Sequence, residues 1–345
     1  MKSKYSVAVL PRRSGTMWAC TMNKMRFCEC ADESTSMNRI AIVGSGAVGG
    51  YYGARLAEAG LDVHFLLRTD YEYVRSHGWS IESVDGDIEL PSVKCAKTSE
   101  EIGPVDLVII AWKATANVHY QSVVGPLIGE QTEILSLQNG LGNTEELARI
   151  FGGWRVFGGL CFVCINRTAP GHLCHSASGL IKVGAFESRA GTVSERLEAL
   201  VEMLKSGGIN ARAVPELEKA QWMKLVWNIP FNGLAIAERG LDTEKLLARP
   251  ELEDRIRKIM QEVQAVAEAL GYAIDDDFLD QQIEITRPMK AYRPSSMIDY
   301  MEGREVEVDA IWRQPLLKAQ LLAVKTPEIE CLLAEIELRV EERRN

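Results

Sequence analysis

The sequence predicts an α/β domain built on a parallel sheet, followed by a mainly α-helical domain. Three observations carry this. A short β-branched run, Arg39 to Val43, leads directly into Gly44-x-Gly46-x-x-Gly49 and a helix. Strands and helices then alternate to about residue 155. From Glu216 onward helical patterns dominate, so the boundary is expected near 205–215, with the α/β part at 37–210 and the helical part at 211–345.

Taken in order, the strand Arg39 to Val43 is followed by the glycine loop. Tyr51 to Ala59 then reads as a helix closed by Gly60, and Asp62 to Arg68 as a second strand. Val105 to Trp112 is nearly unbroken in apolar residues, as a parallel strand covered on both faces should be. Thr132 to Leu137 reads as a further strand and Asn143 to Ile150 as a helix. Val156 to Ile165 and Gly179 to Gly184 are β-like around a turn at Pro170-Gly171. Val193 to Lys205 is helical, and Ile209 to Val214 is a short strand. Beyond it Glu251 to Leu270 repeats apolar residues at helical spacing, and Gln314 to Ala323 and Glu328 to Arg339 follow as helices.

Length and charge narrow the function classes. With 345 residues the chain holds two cores comfortably. A net charge of -9 argues against a nucleic-acid partner, which favours a basic surface. No apolar run approaches the roughly 18 residues that cross a bilayer, so no membrane partner is expected. The eight cysteines are too scattered for a disulfide framework. Cys161 and Cys164 have CxxC spacing but stand in a strand, where period 2 puts them on opposite faces. They are read as reduced structural thiols, with a metal or redox pair as the alternative, and no metal site is expected. His172 and His175 are read as ordinary strand and turn residues, and Trp154, Trp222 and Trp227 as core. Residues 1–36 hold six basic residues and only three acidic ones, the latter all after residue 28, and are expected to be a disordered tail or leader. The expected location is cytoplasmic, with an organellar leader as the alternative.

The loop Gly44, Ser45, Gly46, Ala47, Val48, Gly49 stands between strand and helix, the context that makes such a motif a dinucleotide site of Rossmann type. Gly44 allows the tight turn, Gly46 lets backbone approach a pyrophosphate, and Gly49 lets helix and strand pack closely. The helix N-terminus offers free N–H groups to the anion. The second strand ends Leu67-Arg68, not in the acidic residue that holds both ribose hydroxyls of NAD. Arg68 is therefore read as a 2′-phosphate ligand, and the expected cofactor is NADPH/NADP. Lys113, at the end of the third parallel strand, adds a second charge at the ligand edge of the sheet.

In the helical part, Lys224, Asn228 and Asn232 are spaced by four in an otherwise apolar run that includes Pro230. One lysine and two amides thus share a helix face. Buried there, a lysine would have a depressed pKa suited to proton transfer; the alternative is a polar surface stripe on an amphipathic helix. Taken alone, Glu307 reads as a solvated or capping acid.

These motifs together resemble the ketopantoate reductase family over residues 39 to about 340. The residues concerned are the Gly44 to Gly49 loop, Leu67-Arg68, Lys113, Gln138-Asn139-Gly140-Leu141-Gly142, Lys224-x-x-x-Asn228-x-x-x-Asn232, Ser295-Ser296-Met297, and Gly303-Arg304 followed by Glu307. The resemblance implies a helical C-terminal domain like that of 6-phosphogluconate dehydrogenase. It implies that Lys224 protonates the ketone of 2-dehydropantoate while NADPH supplies hydride, yielding pantoate for pantothenate and coenzyme A. Glu307 would tune the lysine and lie near the cofactor. Asn139 would hold Lys224 or the nicotinamide region, Asn228 and Asn232 the substrate hydroxyl, and Ser296 the substrate carboxylate.

The chain departs from the family where a Tyr-Ile-Asn-Gly run gives way to Ala310-Ile311-Trp312-Arg313, and Asp242 stands where an Asn is common. Bulky Trp312 and charged Arg313 would favour a reductase of another 2-keto acid. A reading of another class is a non-catalytic NADP(H) sensor. The expected partner is a small 2-keto acid, with a homodimer as the assembly considered.

Overall fold

The computed structural model describes residues 38–186 and 193–344. The expected tail at 1–36 lies outside them. The chain runs β1 (Arg39–Val43), α1 (Ala47–Glu58), β2 (Asp62–Leu66), α2 (Tyr71–His77), β3 (Trp79–Ser83), β4 (Ile88–Leu90), β5 (Lys94–Ala96), α3 (Ser99–Ile102) and β6 (Val105–Ile110). After a segment of tight helical turns come β7 (Ile128–Ser136), α4 (Asn143–Phe151), β8 (Val156–Ala169), β9 (His172–Ala185), α5 (Glu195–Ser206) and β10 (Ala211–Ala213). The helical domain holds α6 (Leu217–Ala237), α7 (Thr243–Leu247), α8 (Pro250–Ala269), α9 (Asp276–Thr286), α10 (Ser295–Met301), a π-helical turn Asp309–Arg313, α11 (Gln314–Leu321) and α12 (Pro327–Arg344). None of the described helices is long and apolar enough to cross a membrane.

The strands form one sheet in the order β4-β3-β9-β8-β7-β6-β1-β2-β5, with β10 beside β9. β1 pairs in parallel with β2 and β6, and β6 with β7, so the C-terminal ends of β1, β2, β6 and β7 share one edge. Ile40, Ala41, Ile42 and Val43 are fully buried because both faces of β1 are covered. The remaining strands are less regular. β8 and β9 make a long antiparallel hairpin with three register shifts, and β3 joins its far end in parallel.

β2 and β3 are far apart in the strand order, yet the rings of Phe65 and Trp79 are 5.7 Å apart. The sheet therefore curls around α1 instead of lying open. Helix α1 begins at Ala47, earlier than the sequence reading, because its glycines serve close packing and not a loop. A Cβ on Gly50 would come within 2.9 Å of Leu173, and one on Gly53 within 2.6 Å of Phe65. Tyr52 closes the enclosure by donating to the Gly179 carbonyl at 3.3 Å.

The helical domain has its own core. α6 is buried at every residue from Asn228 to Ala237, and α8 presents Leu252, Ile256, Ile259, Met260 and Val263 toward it. Trp222 belongs to this core, and half-buried Trp227 donates to Thr286 Oγ1 at 2.8 Å. Trp154 does not: it is 42% exposed, with Arg155 and Arg196 stacked on its ring at 4.4 and 4.7 Å. Cationic stacking on the surface explains a tryptophan that apolarity alone would bury.

Candidate active site

The site is built from the C-terminal ends of β1, β2, β6 and β7 and from helices α1, α4, α6 and α10. At the end of β1 the three glycines behave differently. Gly44 has φ +90°, and a Cβ there would overlap the backbone of Trp112. A Cβ on Gly49 would meet the Gly44 carbonyl at 2.5 Å. Around Gly46 a Cβ would meet nothing within 4 Å. So two glycines answer to the protein's own packing, and the third leaves open space at the start of α1. The first turn of α1 carries no acidic residue. Ser45 is buried, and its hydroxyl contacts the carbonyls of Ile42 and Leu66 at 3.2 Å, which ties the loop to β1 and β2. This cradle fits a dinucleotide phosphate: open at Gly46, positive at the helix end, and rigid beneath.

Beyond β2, Arg68 is exposed and makes no ion pair among the described residues. Lys113, beyond β6, is committed. Its ammonium is 2.7 Å from Asp299 Oδ1 and donates to the Glu305 carbonyl at 2.9 Å. Asp299, on α10, also takes Arg304 Nε at 2.8 Å. One residue along, the Ala114 amide donates to Glu307 Oε1 at 2.7 Å. Two contacts thus fasten the ligand edge of the sheet to the segment that carries Glu307.

Glu307 is 9% exposed, and its pKa is pushed up to about 7. Burial is the main cause. The Ala114 amide and Lys113 oppose it, while Asp299 adds to it and Lys224 opposes it. Among the described residues Glu307 makes no direct hydrogen bond to Lys224 and acts on it through the field.

Lys224 projects from α6 and donates to Asn139 Oδ1 at 2.8 Å, with its ammonium 5.5 Å from the Phe162 ring centre. Burial lowers its pKa, and the Cys161 thiol and Glu307 work against that. It lines a cavity with Gln138, Asn139, Gly159, Asn143 and Asn228. Asn139 is itself held. Asn143 Nδ2 donates to its carbonyl at 2.9 Å, and Asn117 Nδ2 donates to Asn143 Oδ1 at 2.8 Å. Asn117 Oδ1 in turn accepts from Gln138 at 2.7 Å, and Tyr120 donates to Gln138 at 2.6 Å. An amide network therefore holds the backbone of the residue whose side chain accepts from the lysine. Gly140 follows at φ +84°, and a Cβ there would strike the Ala310 carbonyl, which accepts from the Leu141 amide at 2.9 Å.

Asn228 faces the cavity, as its spacing from Lys224 predicts. Asn232 and Ser296 are buried and outside its lining. Asn232 Oδ1 accepts from the Ser296 amide at 3.0 Å and Nδ2 donates to the Asn228 carbonyl at 3.1 Å, so this pair joins α6 to α10. The departures from the family lie elsewhere. Trp312 is fully buried, and its Nε1 donates to the Ile229 carbonyl at 3.0 Å. Arg313 pairs with Glu337 and Asp309. Neither lines the cavity.

Sequence reasoning missed Asp299, Asn143 and Asn117. Asn143 had a signal, an amide at the start of a helix beside Asn139, but it read as a helix boundary. The histidines serve the fold: His172 meets the Tyr73 hydroxyl at 2.7 Å, and His175 is 1% exposed against Ser83 Oγ at 2.9 Å. Cys161 meets Tyr52 and Cys164 meets Tyr292, on separate elements. The described residues contain no group of three or more His, Cys, Asp or Glu able to hold a metal.

Comparison with known proteins adds to this geometry. Residues 40–188 match the family described as Ketopantoate reductase PanE/ApbA, and residues 216–340 match Ketopantoate reductase PanE/ApbA C terminal. The chain is similar to the 2-dehydropantoate 2-reductase of Nostoc sp., at 39% identity over 301 residues, covering 86% of this chain and 94% of that one. It is similar to the crystal structure of 2-dehydropantoate 2-reductase from Geobacter metallireducens, at 45% identity and TM-score 0.84, covering 87% and 99%. The structure of the Methylococcus capsulatus 2-dehydropantoate 2-reductase follows at 30% identity and TM-score 0.82, covering 89% and 98%.

Proposed function

The chain belongs to the ketopantoate reductase family, and from that premise we propose that it reduces 2-dehydropantoate to pantoate with NADPH, with Lys224 as the proton donor. The observation that carries this reading is the contact of the Lys224 ammonium with Asn139, 2.8 Å, in a cavity beside the ligand edge of the sheet. Ketone reduction needs a hydride at carbon and a proton at oxygen. When bound, the reduced nicotinamide supplies the hydride to C2. Lys224 Nζ supplies the proton to the ketone oxygen, which becomes the new hydroxyl. Desolvation holds its pKa below that of a free lysine, which makes it a better acid near neutral pH. Asn139 would aim it, Glu307 would tune its charge balance through the field, and Asn228 would meet the substrate hydroxyl. Asn232 and Ser296 would support that wall, Ser296 beside the carboxylate. The open space at Gly46 supports the diphosphate site with Ser45, Ala47 and Val48 around it, and exposed Arg68 supports a 2′-phosphate.

Two alternatives draw less support. Trp312 and Arg313, which would favour another 2-keto acid, are engaged by the Ile229 carbonyl and by Glu337 and Asp309, and neither is in the cavity that Lys224 lines. A sensor without turnover would have no use for a desolvated lysine aimed into a cleft. The test is oxidation of NADPH in the presence of 2-dehydropantoate, by the wild type and by Lys224→Ala. Turnover that falls about 10²–10⁴-fold in the variant supports the substrate and the proton donor together. Equal rates in both remove Lys224 from the mechanism, and turnover only with other 2-keto acids replaces the substrate.

A further inference from the structure

The turn after β2 carries a carboxylate as well as Arg68. Asp70 stands two residues on, past the strand-end position where an acid would accept from the ribose hydroxyls of an unphosphorylated cofactor, but in the same turn as Arg68. A free carboxylate there would also repel a 2′-phosphate. Asp70 is not free: it is 3% exposed, and both of its oxygens take the Arg167 guanidinium, at 2.9 and 3.0 Å. The Thr69 hydroxyl adds a third contact at 3.2 Å. Arg167 comes from the far end of β8, which the curl of the sheet brings over this turn, and its side chain stays 42% exposed. The other nearby carboxylate, Glu72, is taken by Lys97 at 2.7 Å. Both acids of the turn are thus paired, which leaves Arg68 as the surplus positive charge and the outer side of the Arg167 guanidinium open to solvent.

We propose that Arg167 sets cofactor choice: it covers the carboxylate that would favour NADH and adds a second guanidinium beside Arg68 for the 2′-phosphate of NADPH. The inference rests on the dinucleotide reading of the glycine loop. A guanidinium suits both tasks, since its planar fork can hold a carboxylate with one nitrogen and a phosphate with another.

The experiment is calorimetric titration of the full chain with NADPH and, separately, NADH, for the wild type, Arg167→Met and the double variant Arg167→Met/Asp70→Asn. The wild type should bind NADPH more tightly. Arg167→Met should weaken NADPH by about tenfold or more, the loss of a charge-assisted contact, and leave NADH unchanged or tighter. The double variant should recover part of the NADPH affinity, because the uncovered carboxylate is gone. Equal shifts for both nucleotides, no shift for NADPH, or a wild type that prefers NADH overturns the role of Arg167. Binding of neither nucleotide by a folded wild type sinks the dinucleotide reading itself. Should Arg167→Met fail to melt as a folded protein, Arg167→Lys keeps the charge and loses the fork. It should move the NADPH-to-NADH ratio the same way by a smaller factor, and an unmoved ratio overturns the proposal.

Discussion

Trp312 offers a direct test of whether the family departures concern the core or the substrate. In Trp312→Phe the Ile229 carbonyl loses its indole donor, which stands at 3.0 Å in a fully buried setting. Loss of a buried partner costs about 1–3 kcal/mol. The smaller ring leaves roughly 40 Å³, worth about 1 kcal/mol at about 24 cal/mol per Å³ of cavity. The sum is about 2–4 kcal/mol, and at about 2–4 °C for each kcal/mol the melting temperature should fall by roughly 5–15 °C. Because Trp312 does not line the cavity, kcat/KM for 2-dehydropantoate should stay within about threefold, under 1 kcal/mol of transition-state energy. Gly233→Ala provides the cross-check. Its Cβ would stand 2.9 Å from Trp312 Nε1 and 2.6 Å from Leu332 Cδ2, so the substitution overpacks the core. Its cost should be smaller when combined with Trp312→Phe, a coupling a double-mutant cycle reads directly. Calorimetric melting and steady-state kinetics measure both arms. A Trp312→Phe protein of unchanged stability with a tenfold altered KM would refute the argument and return Trp312 to the substrate.

Two further outcomes follow from the site. Gly46→Ala should melt as the wild type does, since its Cβ meets nothing within 4 Å, yet bind NADPH about tenfold more weakly in an equilibrium titration, because the methyl occupies the approach to the diphosphate. Glu307→Gln should move the alkaline limb of the kcat/KM profile to lower pH. Above about pH 7 Glu307 is charged and raises the Lys224 pKa, so its removal lets the lysine lose its proton earlier, and a pH series on both proteins reads the shift.

Much of this was legible in the sequence where a local period or a short motif carried it. The glycine loop fixed the first βαβ unit, and the four-residue spacing of Lys224 and Asn228 put both in one cavity despite Pro230 in the same helix. What escaped depends on segments distant in the chain. Asp299 matters because it meets Lys113, and nothing near either residue announces the other. Arg167 lies beyond the strand read at Val156 to Ile165, and nothing near it in the chain announces its contact with Asp70. Trp154 was misread because hydrophobicity says nothing of two arginines that arrive from elsewhere to cover it.

The enclosure of α1 also shapes how nucleotide affinity should respond to salt. Most of the helix is surrounded by hydrocarbon from the curled sheet, including Phe65, Trp79 and Leu173, so counterions reach its peptide dipoles only at the ends. The attraction it offers an anion is therefore concentrated at the open end at Gly46, where dissolved ions still screen it. Arg68 stands in solvent, where a Debye length of about 8 Å at physiological ionic strength weakens its pull on approaching charge. A nucleotide whose 2′-phosphate met Arg68 would expose one more charge to that screening than its unphosphorylated counterpart, so any advantage it held should narrow as the medium becomes more saline.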